Sequence, residues 1–285
     1  RLMSFLDHIA ACNTHDLSGR RSFRIAGSQV GWVSDDIADR MDRWPQYFAI
    51  TTDAVTFRDG LKDVEARSKA LAEAGAAMVV QKALPRNRKE LCPVMTQFGG
   101  TNLLRIDRAW LPSFGVTSYG VHINGYVETP DGPDLWIGLR AMDRGVAPGK
   151  LDNMVAGGLP VGLSLMENVV KEADEEASVP AELARQARPT GVITYMVSHE
   201  TGLRRDMLFV YDLKLPDGFK PENADGEISG FVRWPARQAL RVVDETDEFK
   251  FNVNLVLIDF GIRHGLIEPD RRDYAALVRG LRAWS

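Results

Sequence analysis

The chain has 285 residues, 45% of them apolar and 26% charged, with a formal net charge of −4 and a pI near 5.8. That composition supports a sizeable core in one large or two ordinary domains, and with no basic patch it argues against a nucleic-acid partner. The two cysteines, Cys12 and Cys92, fit neither a disulfide framework nor a metal motif and point to a reducing compartment such as the cytoplasm, and neither end carries a membrane-length apolar run.

Residues 2–12 read as a short amphipathic helix. Phe23-Arg-Ile25 and Gln29-Val-Gly-Trp-Val33 read as strands around the turn Gly27-Ser28, and Asp35 or Asp36 as the cap of a helix through Met41. Residues 48–50 and 54–57 form another strand pair. Residues 59–78, rich in Ala, Leu, Glu and Lys, form a helix, and residues 82–90 a charged loop around Pro85. Together these make a small α+β domain over residues 1–113, ending at the breaker Leu111-Pro-Ser-Phe-Gly115. The start at Arg1 leaves an upstream targeting segment open.

Residues 114–285 form the second domain. Residues 120–126 and 135–140 read as strands around the turn Pro130-Asp-Gly-Pro133. Ala156-Gly-Gly-Leu-Pro-Val-Gly162 reads as a glycine-rich turn before a helix, and residues 192–198, 206–213 and 227–234 read as strands. Pro235 starts a helix to about Val243, residues 249–263 form a second, stopped by Gly265, and residues 270–283 a third. Strands interleaved with helices make this an α/β architecture.

The helix after the glycine-rich turn carries the most information. In Met166-Glu-Asn-Val-Val-Lys-Glu-Ala-Asp-Glu-Glu-Ala177, Met166, Val169, Val170, Ala173 and Ala177 form one apolar stripe. Glu172, Glu175 and Glu176 fall together beside it at i, i+3, i+4. Three anions this close repel one another. A hard divalent cation, Mg²⁺ or Mn²⁺, would neutralise them. The glycines suit a tight turn and close backbone approach, and the helix N-terminus offers N–H groups to a phosphate.

This stretch resembles the Nudix box. The family pattern is Gly, five residues, Glu, seven residues, Arg-Glu-apolar-x-Glu-Glu-x-Gly-apolar. Here Gly157, Glu172, Glu175, Glu176, Ala173 and Val179 match, and Leu163, Lys171 and Ser178 replace Glu, Arg and Gly. The paired change at Leu163 and Lys171 suggests loss of one acid–base contact. The resemblance implies an α/β/α sandwich with a mixed sheet, metal-assisted hydrolysis of a diphosphate, and Glu172, Glu175 and Glu176 as metal ligands.

A narrower resemblance covers most of the chain. Ser118-Tyr-Gly-Val-His-Ile-Asn-Gly-Tyr126, Pro148-Gly-Lys-Leu-Asp-Asn153, Val155-Ala-Gly-Gly-Leu-Pro-Val-Gly162, Glu167-Asn168 with Lys171-Glu172, and Phe260-Gly-Ile-Arg-His-Gly265 occur in this order. They are similar to the branch containing the Nudix part of fungal thiamine pyrophosphokinases and certain plant Nudix proteins. That branch carries an extra N-terminal domain, and some members are implicated in removing phosphate from damaged thiamine diphosphate.

Such chemistry needs a cation, a group that activates water, and positive charge for the phosphates. Beyond the box, Glu227, in Asp225-Gly-Glu-Ile-Ser-Gly-Phe231, is the best remote acid, where Nudix proteins often place one facing the metal. Arg140, at a strand end, could clamp a diphosphate bidentately, and Lys150 could assist. Asn153 could fix either the turn or the ligand, and Gly157 and Gly158 allow it to approach. His122 alternates with Val121 and Ile123, so it faces the site or solvent if they face the core.

The leading reading is hydrolysis of a small organic diphosphate to the monophosphate, thiamine diphosphate or its damaged forms being the most specific case. The alternatives are hydrolysis of ADP-ribose or another nucleoside diphosphate derivative, and a non-catalytic ligand-binding protein. The expected partner is the small molecule, with no nucleic acid or membrane. A homodimer is left open.

Overall fold

The computed structural model describes residues 3–143, 145–223 and 226–284. Helix α1 (Phe5–Asn13) begins with a reciprocal cap between Ser4 and Asp7. Its buried Phe5, Ile9 and Cys12 do not join the elements that follow in sequence. They pack into the core formed by the C-terminal helices.

Strands β1 (Arg20–Ile25) and β2 (Ser28–Ser34) form a hairpin, followed by helix α2 (Asp35–Met41) and strands β3 (Phe48–Ile50) and β4 (Ala54–Phe57). Their sheet runs β2-β1-β4-β3, with β1 and β4 parallel. Ser34, not Asp35 or Asp36, caps α2, its Oγ accepting from the Ile37 N–H at 3.3 Å. Helix α3 (Val64–Val80) begins later than its composition suggests, because Asp63 takes the cap and accepts from the Ala66 N–H at 2.7 Å. Strands β5 (Leu91–Val94) and β6 (Leu104–Asp107) form a ladder absent from the sequence reading. Pro93 argues against a strand there, but it is tolerated in a two-stranded ladder with a free edge. A 3₁₀ turn over Arg108–Trp110 and helix α4 (Leu111–Phe114) follow. The Trp110 ring fills the notch at Gly75, where an added Cβ would lie 2.3 Å from it.

Next come strands β7 (Thr117–Thr129), β8 (Gly132–Arg140), β9 (Leu151–Asp152) and β10 (Val155–Gly158), then helices α5 (Leu165–Ala177) and α6 (Ala181–Ala184). Strands β11 (Arg188–His199), β12 (Gly202–Lys214) and β13 (Ile228–Pro235) precede helices α7 (Ala236–Glu245), α8 (Val253–Arg263) and α9 (Tyr274–Gly280). Helix α8 starts after residue 249 because Leu151 holds that segment extended, accepting from the Lys250 N–H at 2.8 Å and donating to Glu248 O at 3.0 Å.

The large sheet runs β11-β12-β7-β8-β13, with β12 and β7 parallel and the other pairs antiparallel. Strand β7 pairs with β8 only over residues 126–129. Its earlier part, residues 120–123, pairs with β10, while β9 pairs with β8. β7 and β8 therefore diverge, and the β9–β10 segment fills the split. Val121 and Ile123 pack against Val169, Ala173 and Ala177 of α5 on one face. Leu208 and Val210 pack with α7 and α8 on the other. The result is an α/β/α sandwich with a mixed sheet. Among the described residues, no helix is long and apolar enough to cross a membrane.

Candidate active site

The stripe on α5 positions its acids. Val169, Ala173 and Ala177 are fully buried, and Glu172 and Glu176, one turn apart beside them, are drawn under the protein surface at 8% and 6% exposure. Burial pushes the Glu172 carboxyl upward, while Lys171 and Arg108 pull it partly back. Burial pushes Glu176 well above the carboxylate range, against one hydrogen bond from the Ala156 N–H at 2.8 Å and with the like charges of Asp152, Glu172 and Glu227 nearby. Glu175 is exposed. Its carboxylate meets Lys171 Nζ at 2.7 Å, and the same amine reaches Glu172 at 3.0 Å.

The glycines work differently from the turn expected. Gly157 and Gly158 lie in strand β10, paired with Val121 and Gly120. The turn comes later, at Gly162, with φ of 93°. Gly157 is needed for space: an added Cβ would lie 2.1 Å from Glu172 Cδ. Gly157→Ala should therefore displace the Glu172 carboxylate, which is the movable end of a side chain. Turnover should fall at least about tenfold, with a stability cost of about 1–3 kcal/mol because the buried Glu172 Cγ must shift as well. Kinetics beside a thermal melt would check this, and unchanged turnover would remove Glu172 from the site. At the helix N-terminus expected to offer N–H groups to a phosphate, a capping box takes two of them. Glu167 Oε2 already accepts from the Ser164 N–H at 2.8 Å, and Ser164 Oγ accepts from the Glu167 N–H at 3.3 Å.

Arg140 and Lys150 are not free phosphate clamps. Arg140 is buried, donating to Asp152 and to the Val146 and Ala147 carbonyls. Lys150 is tied to the carbonyl and carboxylate of Asp247. His122 faces neither solvent nor α5. It is 4% exposed on the opposite side of the sheet from Val121 and Ile123, and burial followed by the nearby Lys250 charge lowers its pKa to about 4. A neutral imidazole there cannot serve as a phosphate-binding cation. Glu227 is half-buried just before β13, and its charge reaches Glu176. Asp225, in the same motif, lies outside the described residues.

The structure adds residues that the sequence reading passed over. Asp212 Oδ1 accepts from Asn124 Nδ2 at 3.0 Å, Asn124 Oδ1 from Asn153 Nδ2 at 2.9 Å, and Asn153 Oδ1 lies 2.8 Å from His122 Nδ1. A carboxylate only accepts, so it orients both amides and leaves His122 Nδ1 as donor. Arg263 and His264 also bind Asp212. Asp152 Oδ1 accepts from the Asn153 N–H at 2.9 Å, and its other oxygen takes Arg140 and Lys250. A cavity of about 940 Å³ between α3 and the β11–β12 hairpin contains none of the site candidates.

The domain of unknown function DUF4743 matches residues 4–118. Over 285 residues the chain is 39% identical to Nudix hydrolase 24, chloroplastic, of Arabidopsis thaliana, covering 99% of this chain and 78% of that protein. The chain belongs to the Nudix hydrolase family. It is also 36% identical over 292 residues to Nudix hydrolase 20, chloroplastic, of the same plant, with the same coverage. It is thus a hydrolase, and α5 carries its Nudix box.

The box departures have physical counterparts. Lys171 bonds Glu172 and Glu175, while Leu163 is half-buried beside the turn. Ser178 occupies the position where the family pattern has Gly, and it adopts the left-handed conformation (φ 50°, ψ 36°) that ends α5, one that glycine adopts without strain. Among the described residues, no three His, Cys, Asp or Glu side chains already stand close enough to hold a metal ion. The donor chemistry nonetheless fits a hard divalent cation. Glu172 and Glu176 are buried oxygen donors with further carboxylates nearby, and Glu176 has one backbone N–H as its hydrogen-bond donor.

Proposed function

We propose that this Nudix hydrolase uses Mg²⁺ or Mn²⁺ to cleave the diphosphate of a small organic diphosphate, releasing the monophosphate, and that its substrates are thiamine diphosphate or damaged forms of it. The observation that carries the reaction is the buried pair Glu172 and Glu176, one fitted over the bare Cα of Gly157 and the other anchored on the Ala156 N–H.

Glu172 and Glu176 would hold the cation, with Glu175 and Glu227 at its margin. When bound, it would supply Lewis acidity toward the phosphoryl oxygens. The remaining work falls to the chain. Gly157 gives Glu172 its place, and Lys171 orients Glu172 and separates it from Glu175. Asp152 fixes Arg140 and Lys250 behind the β9–β10 segment.

The thiamine reading is supported by the motifs shared with the thiamine-linked branch. His122 and Asn124 from the first, Asn153 from the second and Arg263 and His264 from the last meet in one hydrogen-bond relay around Asp212. The test is a panel of thiamine diphosphate, its oxidised analogues and ADP-ribose, with Mg²⁺ or Mn²⁺ and product identification by mass spectrometry. Monophosphate release from the thiamine compounds is expected. Preference for ADP-ribose would replace the substrate assignment and leave the reaction class intact.

A further inference from the structure

The N-terminal part of the chain reaches the box beside the end of β10. Strand β5 meets the segment after β10, where the Val161 N–H donates to Leu91 O at 2.8 Å. Asp107 pins the adjoining loop, accepting from the Arg88 and Lys89 N–H groups at 3.0 Å each and from Ala109 at 2.9 Å. The Arg108 N–H donates to Glu90 O at 2.8 Å. These bonds hold the start of the 3₁₀ turn rigidly and send the Arg108 side chain across Gly158. A Cβ on Gly158 would lie 2.9 Å from Arg108 Cζ, 3.0 Å from Nε and 3.1 Å from Nη2. The bare backbone of Gly158 is thus the seat of a guanidinium. Asn168 Nδ2, donating to Gly158 O at 3.0 Å, fixes that seat to α5.

The charges around the box single out this arginine. Lys171 is shared by Glu172 and Glu175, Arg140 and Lys250 are held by Asp152, and Lys150 by Asp247. Arg108 is paired through Nη1 with Glu90 Oε2 at 2.9 Å. Among the described residues, its Nε and Nη2 have no hydrogen-bond partner. Its side chain is 35% exposed, and that of Glu90 is 30% exposed. It also stands within electrostatic reach of Glu172. A guanidinium with unfilled N–H groups beside buried carboxylates suits an anion bridging arginine and cation, and a diphosphate has oxygens for both.

We propose that Arg108 is the diphosphate-binding arginine of this site, delivered by the N-terminal part of the chain and seated on the bare backbone of Gly158. This rests on the reading of the enzyme as a diphosphate hydrolase. It also gives the N-terminal part a direct share in the site, because the Nudix sheet and box alone do not contain this cation.

The test is calorimetric binding of inorganic pyrophosphate to the full chain in excess Mg²⁺, for wild type, Arg108→Ala, Arg108→Lys and Glu90→Gln, each checked by thermal melt. Arg108→Ala should weaken pyrophosphate at least about tenfold, and Arg108→Lys should restore only part of the loss, because an ammonium lacks the planar fork. Glu90→Gln is the discriminating variant. It keeps the shape of the side chain but removes the competing carboxylate, so pyrophosphate should bind as tightly as to wild type or tighter. If Arg108 serves only its ion pair with Glu90, Glu90→Gln should reproduce the Arg108→Ala defect, and that result overturns the proposal. Equal pyrophosphate affinity in wild type and Arg108→Ala overturns it as well, leaving the diphosphate reading standing. A wild-type protein that neither binds pyrophosphate nor turns over any organic diphosphate sinks both.

Discussion

Glu176→Gln is expected to abolish most turnover, by about two orders of magnitude or more, while leaving the metal-free protein as stable as wild type or more so. Gln is nearly isosteric with Glu, and its carbonyl can still accept from the Ala156 N–H. What disappears is a negative charge at a buried site whose other near charges are carboxylates. A carboxyl whose folded-state pKa is raised binds its proton more readily in the folded chain than in the unfolded one. Its ionisation therefore costs stability, with no cost below the ordinary carboxylate range and a rising cost as pH climbs toward the folded-state pKa. Metal-free wild type should lose stability relative to Glu176→Gln as pH rises from about 5 to about 8, and Mg²⁺ should raise the melting temperature of wild type far more than that of the variant. Near neutral pH the metal-free variant should melt roughly 2–5 °C higher. Thermal melts across that pH range with and without Mg²⁺, beside steady-state kinetics, check all four. A variant that melts well below wild type would mean that the Glu176 charge is structural, and one that keeps full activity would remove it from the site.

The box helix was legible because its signals are local. One stripe sets the buried face, the Ser164–Glu167 cap sets the start, and the i, i+4 spacing carries Glu172 and Glu176 down beside the stripe. The same helical wheel sets Glu175 nearly opposite the middle of the stripe, so grouping it with the other two as a ligand overlooked that it turns outward, where Lys171 meets it. The glycine segment was read as a turn because glycine weakens isolated strands. β7 supplies the hydrogen-bonded edge that makes it one, and that pairing spans more than thirty residues of sequence. Strands β5 and β6 were hidden for the same reason. His122 shows the limit of alternation. Period two placed it opposite Val121 and Ile123, but in a sandwich both faces are interior, so the opposite side was another core layer and not a ligand. Asp152, Asn124, Asp212 and Arg108 were illegible individually. An Asp or Arg in sequence looks like any surface charge until tertiary structure gives it a partner.

Asp152→Ala should be among the most destabilising substitutions in the chain. Asp152 is 2% exposed, and its Oδ2 takes both the Arg140 guanidinium and Lys250 Nζ. Burial alone would raise its carboxyl, but Lys250 and Arg140 together hold it below the usual range. Deleting it strands two cations under the β9–β10 segment, and breaking a buried pair this way costs about 3–5 kcal/mol. In a chain of this size that is a fall of roughly 10 °C in melting temperature. Activity should fall too, because the Asn153 N–H loses the acceptor that fixes the loop in front of Glu176. The pH dependence has the opposite sign to that of Glu176. A depressed carboxyl contributes stability above its unfolded pKa and loses it as pH falls through the folded value. The Asp152 contribution should therefore be intact at neutral pH and vanish only below about pH 4, so wild type and Asp152→Ala should converge in acid. The double variant Asp152→Ala with Arg140→Met should be less destabilised than the sum of the single changes, because one stranded charge has been removed. Denaturant titrations at neutral and acid pH measure each quantity. If Asp152→Ala unfolds within about 1 kcal/mol of wild type at neutral pH, the Arg140–Asp152–Lys250 cluster behaves as a solvated surface pair and does not anchor the β9–β10 segment.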